Sequence, residues 1–421
     1  MPLKKALLIA SLFGPIVALQ SQAQAQIQSS SNYGSDVNDF EEHNPPMLDP
    51  TQKTPLDFQP TAETDAEKAQ AEADAKADAE LLYKPEPGTK AKKSKGELVL
   101  APIPNYNPSQ GWGLALMGQK IFATSKDVKP SMAVGAVFGT QKKSYGAMAG
   151  YIGRMNEDRW RLNIFGGAAK INSDFYGTGK DAGTRDQYVL MEQDVGFASA
   201  QVLPRWAEGF FLGVTLGYNK MTTSFDLDQL PVEVPNRTIT DENWLPGFKG
   251  QYDSRNNSFY PTEGIYTNFQ GQFFDKNFGG DHTFQRYKVS YNQYFTVFSQ
   301  DVIAVRAATE ANVGDVPFYN MAVFGQGQDM RGYKAGQYRD NILWATQAEY
   351  RHRFAKHWGY VLFGGVGDVI GKISEFTLTD LLWAGGAGIR YRLGRENPVD
   401  FRVDIAYGDD LVGYFSVNQA F

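Results

Sequence analysis

The sequence predicts an all-β fold: a transmembrane antiparallel β-barrel of about sixteen strands, behind a disordered or partly helical N-terminal linker. Three observations carry this. Long stretches alternate apolar and polar residues. The first residues have the form of an export signal. The chain is rich in glycine and aromatic residues, with 43 Gly, 22 Tyr and 28 Phe in 421 residues, and it contains no Cys.

The alternation is clearest in FQRYKVSYNQYFTVF, Phe284 to Phe298. Tyr287, Val289, Tyr291, Phe295 and Val297 share one face, and Arg286, Lys288, Ser290, Asn292 and Thr296 share the other. FRVDIAY repeats the rule, with Phe401, Val403, Ile405 and Tyr407 against Arg402 and Asp404. Side chains point to opposite sides along a strand, so each strand has one apolar and one polar face. A soluble sandwich turns the apolar face inward, whereas a membrane barrel turns it to lipid around a polar lumen.

The start of the chain decides between these. Lys4 and Lys5 precede the apolar run Ala6 to Leu19, and Ala23, Gln24 and Ala25 offer small residues for cleavage, expected after Ala25. The apolar run is short and broken by Pro15, which argues against a membrane anchor. No later run reaches the ~20 apolar residues of a spanning helix. Export, abundant aromatics near strand ends and a final aromatic residue, Phe421 in GYFSVNQAF, select the membrane barrel, with Phe421 as its terminal signal. The net charge of −6 is spread along the chain, so no basic surface points to nucleic acid.

Residues 26–95 read as a linker. NPPMLDP and YKPEPGTK are proline-rich, and between them Thr61 to Leu82 is rich in Ala, Glu, Asp and Lys. Such a segment suits a solvated helix and has little apolar surface to pack. The basic run Lys90 to Glu97 reads as a solvated hinge. The barrel then occupies residues 96–421, in about sixteen alternating runs long enough for the ~9–11 residues of a spanning strand. They begin near Glu97, Gly111, Pro130, Ser144, Arg159, Leu190, Gly209, Leu245, Gly264, His282, Gln300, Asn341, Gly359, Leu381, Pro398 and Leu411.

One stretch breaks the pattern. FGQGQDMRGYKAGQYRDN, Phe324 to Asn341, is long, charged and glycine-rich. A loop of this length is uncommon unless it is functional. Gly325, Gly327 and Gly332 allow the backbone to double back.

Met330, Arg331, Gly332 and Tyr333 in this stretch resemble the loop-tip motif of the outer-membrane assembly and translocation superfamily, the BamA/TamA-like surface-antigen barrels. YDSRNNSFYPTEG (Tyr252 to Gly264) is similar to a second signature of that family. The stretch near Ala101 resembles its first hairpin, and YFSVNQAF its last strand. The resemblance spans the whole barrel. It implies that the loop folds back into the lumen and that Arg331 is held there by acids on the two following strands. Glu349 supplies one, on the lumen face by its parity with Gln347, Arg351 and Arg353. The second is missing: in the strand signature Phe363, Gly365, Gly367, glycine stands where the family has an acid. The clamp is therefore expected to be one-sided or to use another acid, and Asp368 has the wrong parity. The family's periplasmic POTRA domains are not expected in residues 26–95.

The resemblance implies a barrel of the bacterial outer membrane that inserts or translocates proteins, or moves lipid, through a weak seam between first and last strands. Its partners would be outer-membrane lipid and a periplasmic client or accessory protein, without nucleic acid. Pro102 and Pro104 near one side of that seam and Asn418 on the other are poor ladder formers. The alternative is a passive plugged pore or structural barrel. No enzyme, cofactor or metal site is expected. There is no Gly-x-Ser-x-Gly elbow, GTGKDAG (Gly177 to Gly183) reads as a turn, and His43, His282, His352 and His357 are scattered. The carboxylate pairs Glu41–Glu42 and Asp409–Asp410 read as solvated charges.

Overall fold

The computed structural model describes residues 98–421 except 108–109, 123–130, 227–237, 258–259, 299–300, 327–328, 393–399 and 418. The expected export signal and linker lie outside the described residues, as do Gly327 and Asn418. Sixteen strands close into one antiparallel barrel. They are β1 (Leu98–Asn107), β2 (Gly111–Phe122), β3 (Ser131–Thr140), β4 (Tyr145–Met155), β5 (Trp160–Phe175), β6 (Val189–Ala207), β7 (Phe210–Asp226) and β8 (Ile239–Asp253). The second half is β9 (Gly264–Phe274), β10 (Phe284–Val297), β11 (Asp301–Gly314), β14 (Ile342–Arg353), β15 (Trp358–Ile370), β16 (Leu382–Arg392), β17 (Asp400–Tyr407) and β18 (Leu411–Val417). Inside the long loop, β12 (Ala322–Val323) pairs with β13 (Arg339–Asp340). The loop leaves the wall after β11 and returns at β14, which pair directly across it. We call the end where it emerges the loop end and the opposite one the terminal end.

The strands start within two residues of the sequence expectation everywhere but at β8. That strand begins at Ile239, six residues before Leu245. Its first turns carry Asp241 and Asn243 on the buried face and Thr240 and Glu242 on the exposed one. With both faces polar, alternation of hydropathy vanishes although the strand continues. A second difference lies in GTGKDAG, read as a turn, where Lys180–Thr184 forms a short helix, α1.

The outer face is apolar and banded. Trp112, Tyr145, Trp244 and Trp383 are exposed toward the loop end, and Trp160, Trp206, Trp358 and Tyr391 toward the terminal end. Between them Leu116, Val137, Ile164, Val214, Leu362 and Ile405 are also exposed. Two aromatic girdles around an aliphatic band are what a lipid-facing barrel surface requires. The lumen side holds the charge instead: Arg286, Arg331, Arg351, Arg390, Glu349 and Asp404 are all buried.

The wall is uneven. β6 has 19 residues and β7 has 17, but β17 has 8 and β18 only 7. A spanning strand needs ~9–11 residues, so the barrel is thinnest beside its closure. β1 runs in register with β2 from Leu98↔Lys120 to Asn107↔Gly111, and β17 with β18 from Phe401↔Val417 to Tyr407↔Leu411. Across the seam, the register among the described residues is one pair, Tyr106↔Phe415.

Candidate functional site

The long loop turns back into the barrel because its backbone is pinned at the neck and its glycines bend. Phe324 N–H donates to the Tyr338 carbonyl at 2.9 Å, and Gly336 N–H to the Phe324 carbonyl at 3.2 Å. Gly325 sits at φ +84° and Gly332 at φ +100°, in the left-handed region that favours glycine. A Cβ on Gly332 would lie 2.9 Å from the Gly408 nitrogen, so the tip rests backbone to backbone on the β17–β18 turn.

At the tip, Arg331 is fully buried between two acids. Its guanidinium lies 2.6 Å from Glu349 Oε1 on β14 and 2.7 Å from Asp404 Oδ2 on β17. It also donates to Gln347 Oε1 at 3.3 Å, and Gln347 Nε2 donates to the Asp329 carbonyl at 2.9 Å. The Phe363 ring on β15 stacks 3.4 Å from the guanidinium carbon. A buried arginine is tolerable only with such partners, since an unpaired buried charge costs several kcal/mol.

Met330, Arg331, Gly332, Tyr333, Glu349 and Phe363 are thus brought together. Met330 and Tyr333 join Phe324, Leu343, Ala345 and Val369 in one buried apolar cluster. The Tyr333 hydroxyl donates to the Trp383 carbonyl at 2.7 Å, and Gly332 N–H donates to the Tyr414 hydroxyl at 2.9 Å. Gly365 and Gly367 serve as space. A Cβ on Gly365 would lie 2.7 Å from the Gln347 Cβ, and one on Gly367 would lie 2.9 Å from the Phe324 ring. The acid absent from the Gly365 position is replaced by Asp404, two strands further along the wall. Asp368 points away from Arg331 and pairs with Lys180 of α1 at 3.2 Å.

The site extends both ways along the lumen. Toward the loop end, Gln337 donates to Asp409 Oδ2 at 3.0 Å, and Tyr338 donates to the same oxygen. Lys334 pairs with Asp410 at 3.2 Å. The Asp409–Asp410 pair is exposed, in keeping with its reading as solvated charges, and it also latches the loop to the β17–β18 turn. Burial, and then the Asp409 carboxylate, pushes the Tyr338 phenol up from its ordinary value and keeps it a donor.

Toward the terminal end, Glu349 binds Arg351 at 2.8 Å, and Arg390 binds Asp404. Arg353 and Arg392 share Asp400. The last residues join this network: Gln419 accepts from Arg390 at 3.1 Å and donates to Asp400 at 2.6 Å. The carbonyl of Phe421 accepts from Arg351 at 2.9 Å. The Phe421 ring packs on Tyr294, Val302 and Ala304 rather than continuing β18 along the wall.

Sequence reasoning missed Asp404, Gln347, Tyr414 and Gln419 as partners of the loop and its network. The signal for Asp404 was present: it alternates with Val403 and Ile405 on the polar face of FRVDIAY. What alternation lacks is which height of the lumen each residue occupies. No group of three or more His, Cys, Asp or Glu that could hold a metal occurs among the described residues. The arrangement is a set of buried ion pairs that seats the loop in the lumen.

No curated protein matches the chain. Among solved structures, BamA from Haemophilus ducreyi lacking POTRA domains 1–3 superposes with TM-score 0.56 at 12% identity, over 83% of this chain and 77% of that one. CdiB from Acinetobacter baumannii gives 0.52 at 11%, over 77% and 60%, and CdiB from Escherichia coli gives 0.52 at 12%, over 80% and 68%. At such identities the likeness is one of fold. The Omp85 superfamily domain matches residues 135–408, from β3 to the β17–β18 turn that receives the loop tip, and the chain belongs to the Omp85 superfamily.

Proposed function

We propose that the chain is an outer-membrane barrel that inserts or translocates other molecules, proteins first and lipid second, by parting its wall between β1 and β18. The observation that carries this reading is the seam. Among the described residues its register is the single pair Tyr106↔Phe415, while the ladders on either side run the length of their strands. Pro102 and Pro104 remove two ladder donors from β1. Gln419, Ala420 and Phe421 turn inward and leave the β1 edge. An unpaired strand edge is a template for another strand, and beside it the wall is at its shortest.

The loop supports this reading because it leans on the same part of the wall. Its tip contacts Asp404, Tyr407, Gly408 and Tyr414, all on β17, β18 or their turn. A loop seated there braces the closing strands. The alternative, a passive plugged pore or structural barrel, also accommodates a loop tip and apolar cluster seated in the lumen; the seam is what favours lateral opening over it.

The test is a disulfide across the seam. Tyr106→Cys with Phe415→Cys joins Cα partners, and no native thiol competes. In liposomes, the oxidised protein should fold yet lose its ability to speed insertion of an unfolded outer-membrane barrel, and reductant should restore it. Equal activity locked and unlocked would discard lateral opening in favour of the pore.

A further inference from the structure

We propose a site for a hard divalent cation, calcium foremost, near the loop end of the lumen, where residues 315–321 settle on β7 and β8. Its donors are Asp241 and Asn243 of β8, Asn219 of β7 and Asn320 of the loop.

These four side chains are 2%, 1%, 4% and 0% exposed. Asp241 and Asn243 are two residues apart on one strand and so share the lumen face. Asn219 is the Cα partner of Asn243 across the ladder, and Asn320 Nδ2 lies 3.4 Å from Asp241 Oδ2. Each contributes an oxygen with no hydrogen-bond partner: Asp241 Oδ1, Asn243 Oδ1, Asn219 Oδ1 and Asn320 Oδ1. Buried polar atoms are ordinarily satisfied, so four such oxygens on adjoining residues need an account.

The surroundings are electronegative. Among the described residues, no Lys, Arg or His forms an ion pair with Asp241, although Asp241 is buried. The buried Tyr319, next to Asn320, hydrogen-bonds Asp241, and Asp281 and Asp315 lie near it. A buried carboxylate with no cation beside it is costly. The main chain closes over the place: a Cβ on Gly280 would lie 2.3 Å from Asn243 Oδ1. Asn219 also lines a small cavity with Thr215, Leu245 and Gln272.

One carboxylate and three amide oxygens form a donor set for a hard cation, without the thiolate or imidazole that favours zinc or copper. Calcium takes six to eight oxygens in flexible geometry, so water would complete its shell; magnesium dehydrates reluctantly and fits less well. A single carboxylate places the affinity near the weak end, on the order of 10⁻⁴–10⁻³ M. The position explains why the lumen face at the start of β8 carries Asp241 and Asn243, and the ion would fasten the first part of the loop to the wall.

The test uses the full chain in lipid-free detergent micelles after chelation. Millimolar calcium should raise the unfolding midpoint by a few degrees. The rise should vanish in Asp241→Asn and persist in Glu242→Gln, whose side chain is outside the barrel. Should Asp241→Asn fail to fold, Asn320→Ala removes only the loop ligand, and it should also lose most of the rise. Direct binding is read from terbium luminescence displaced by calcium, present in the native chain and absent in either variant. No calcium response in the native chain, or an equal response in Asp241→Asn or Asn320→Ala, overturns the site and leaves water as the partner of these oxygens.

Discussion

Arg331 and Asp404 stand 73 residues apart in the sequence and 2.7 Å apart in the lumen. Asp404 also takes Arg390 and lies 4.0 Å from Arg402, so one carboxylate answers three guanidinium groups. Glu349 similarly answers Arg331 and Arg351. The loop tip is held by a network in which the acids are in the minority.

That imbalance makes Asp404→Asn the most damaging single change at the site. It leaves three buried cations short of one anion, and removing one partner of a buried pair costs about 3–5 kcal/mol. Arg331→Ala should cost less, since Glu349 and Asp404 keep their other arginines. Both changes should expose residues 324–341 to protease. In the double variant the effects should fall well short of their sum. Full additivity in urea unfolding would show that the two residues do not work through one another.

The fold was legible because a lipid-facing strand must alternate, and alternation survives in single sequences. It failed at Asp241 and Asn243, where the outward face has left the lipid. At the site, the loop motif pointed to Arg331 and parity pointed to Glu349. Asp404 stayed hidden because spatial pairing across a barrel depends on shear and strand height, which no local pattern records. The helix α1 was hidden because its buried residues, Ala182 and Gly183, are small and packed by the loop.

Gly365 invites a second prediction. Restoring an acid there with Gly365→Asp should not rescue Asp404→Asn. The added Cβ would meet the Thr346 carbonyl at 2.6 Å and Gln347 at 2.7 Å. Overpacking of that kind costs about 1–3 kcal/mol. The variant should lower stability by that amount in the native background. Rescue of the loop's protease resistance in the double variant would mean that Gln347 moves aside freely.

Alkaline pH should unlatch the loop. Burial and Asp409 hold the Tyr338 phenol above its ordinary value, and burial does the same to Tyr333. A raised pKa in the folded state means that stability is intact below the unfolded value of about 10. It is lost as pH climbs from there through the folded value, because the docked phenol resists ionisation beside a carboxylate. Protease sensitivity of residues 324–341 should therefore be flat from about pH 7 to 9.5 and rise steeply above about 10. Tyr338→Phe should flatten the rise and loosen the latch slightly at neutral pH. A profile that does not change in Tyr338→Phe would assign the transition to other groups.

The sharpest separation of loop from barrel comes from Gly332→Ala. Its φ of +100° disfavours any side chain, and a Cβ would press on the Gly408 nitrogen at 2.9 Å, the Tyr407 carbonyl carbon at 3.0 Å and Ala384 at 3.1 Å. Backbone strain alone costs about 1–3 kcal/mol. None of these atoms belongs to a flexible side-chain end that could swing away. The tip should lift from the β17–β18 turn, taking the Gly332–Tyr414 hydrogen bond and the Arg331 contacts with it, while the sixteen-strand ladder stays intact. The variant should still run faster on gels unheated than boiled, yet lose the loop's protection from protease. If the seated loop braces the closing strands, the Tyr106→Cys/Phe415→Cys pair should oxidise more slowly in this background, because β18 would wander from β1. Oxidation at the native rate, with the loop demonstrably released, would uncouple loop from seam.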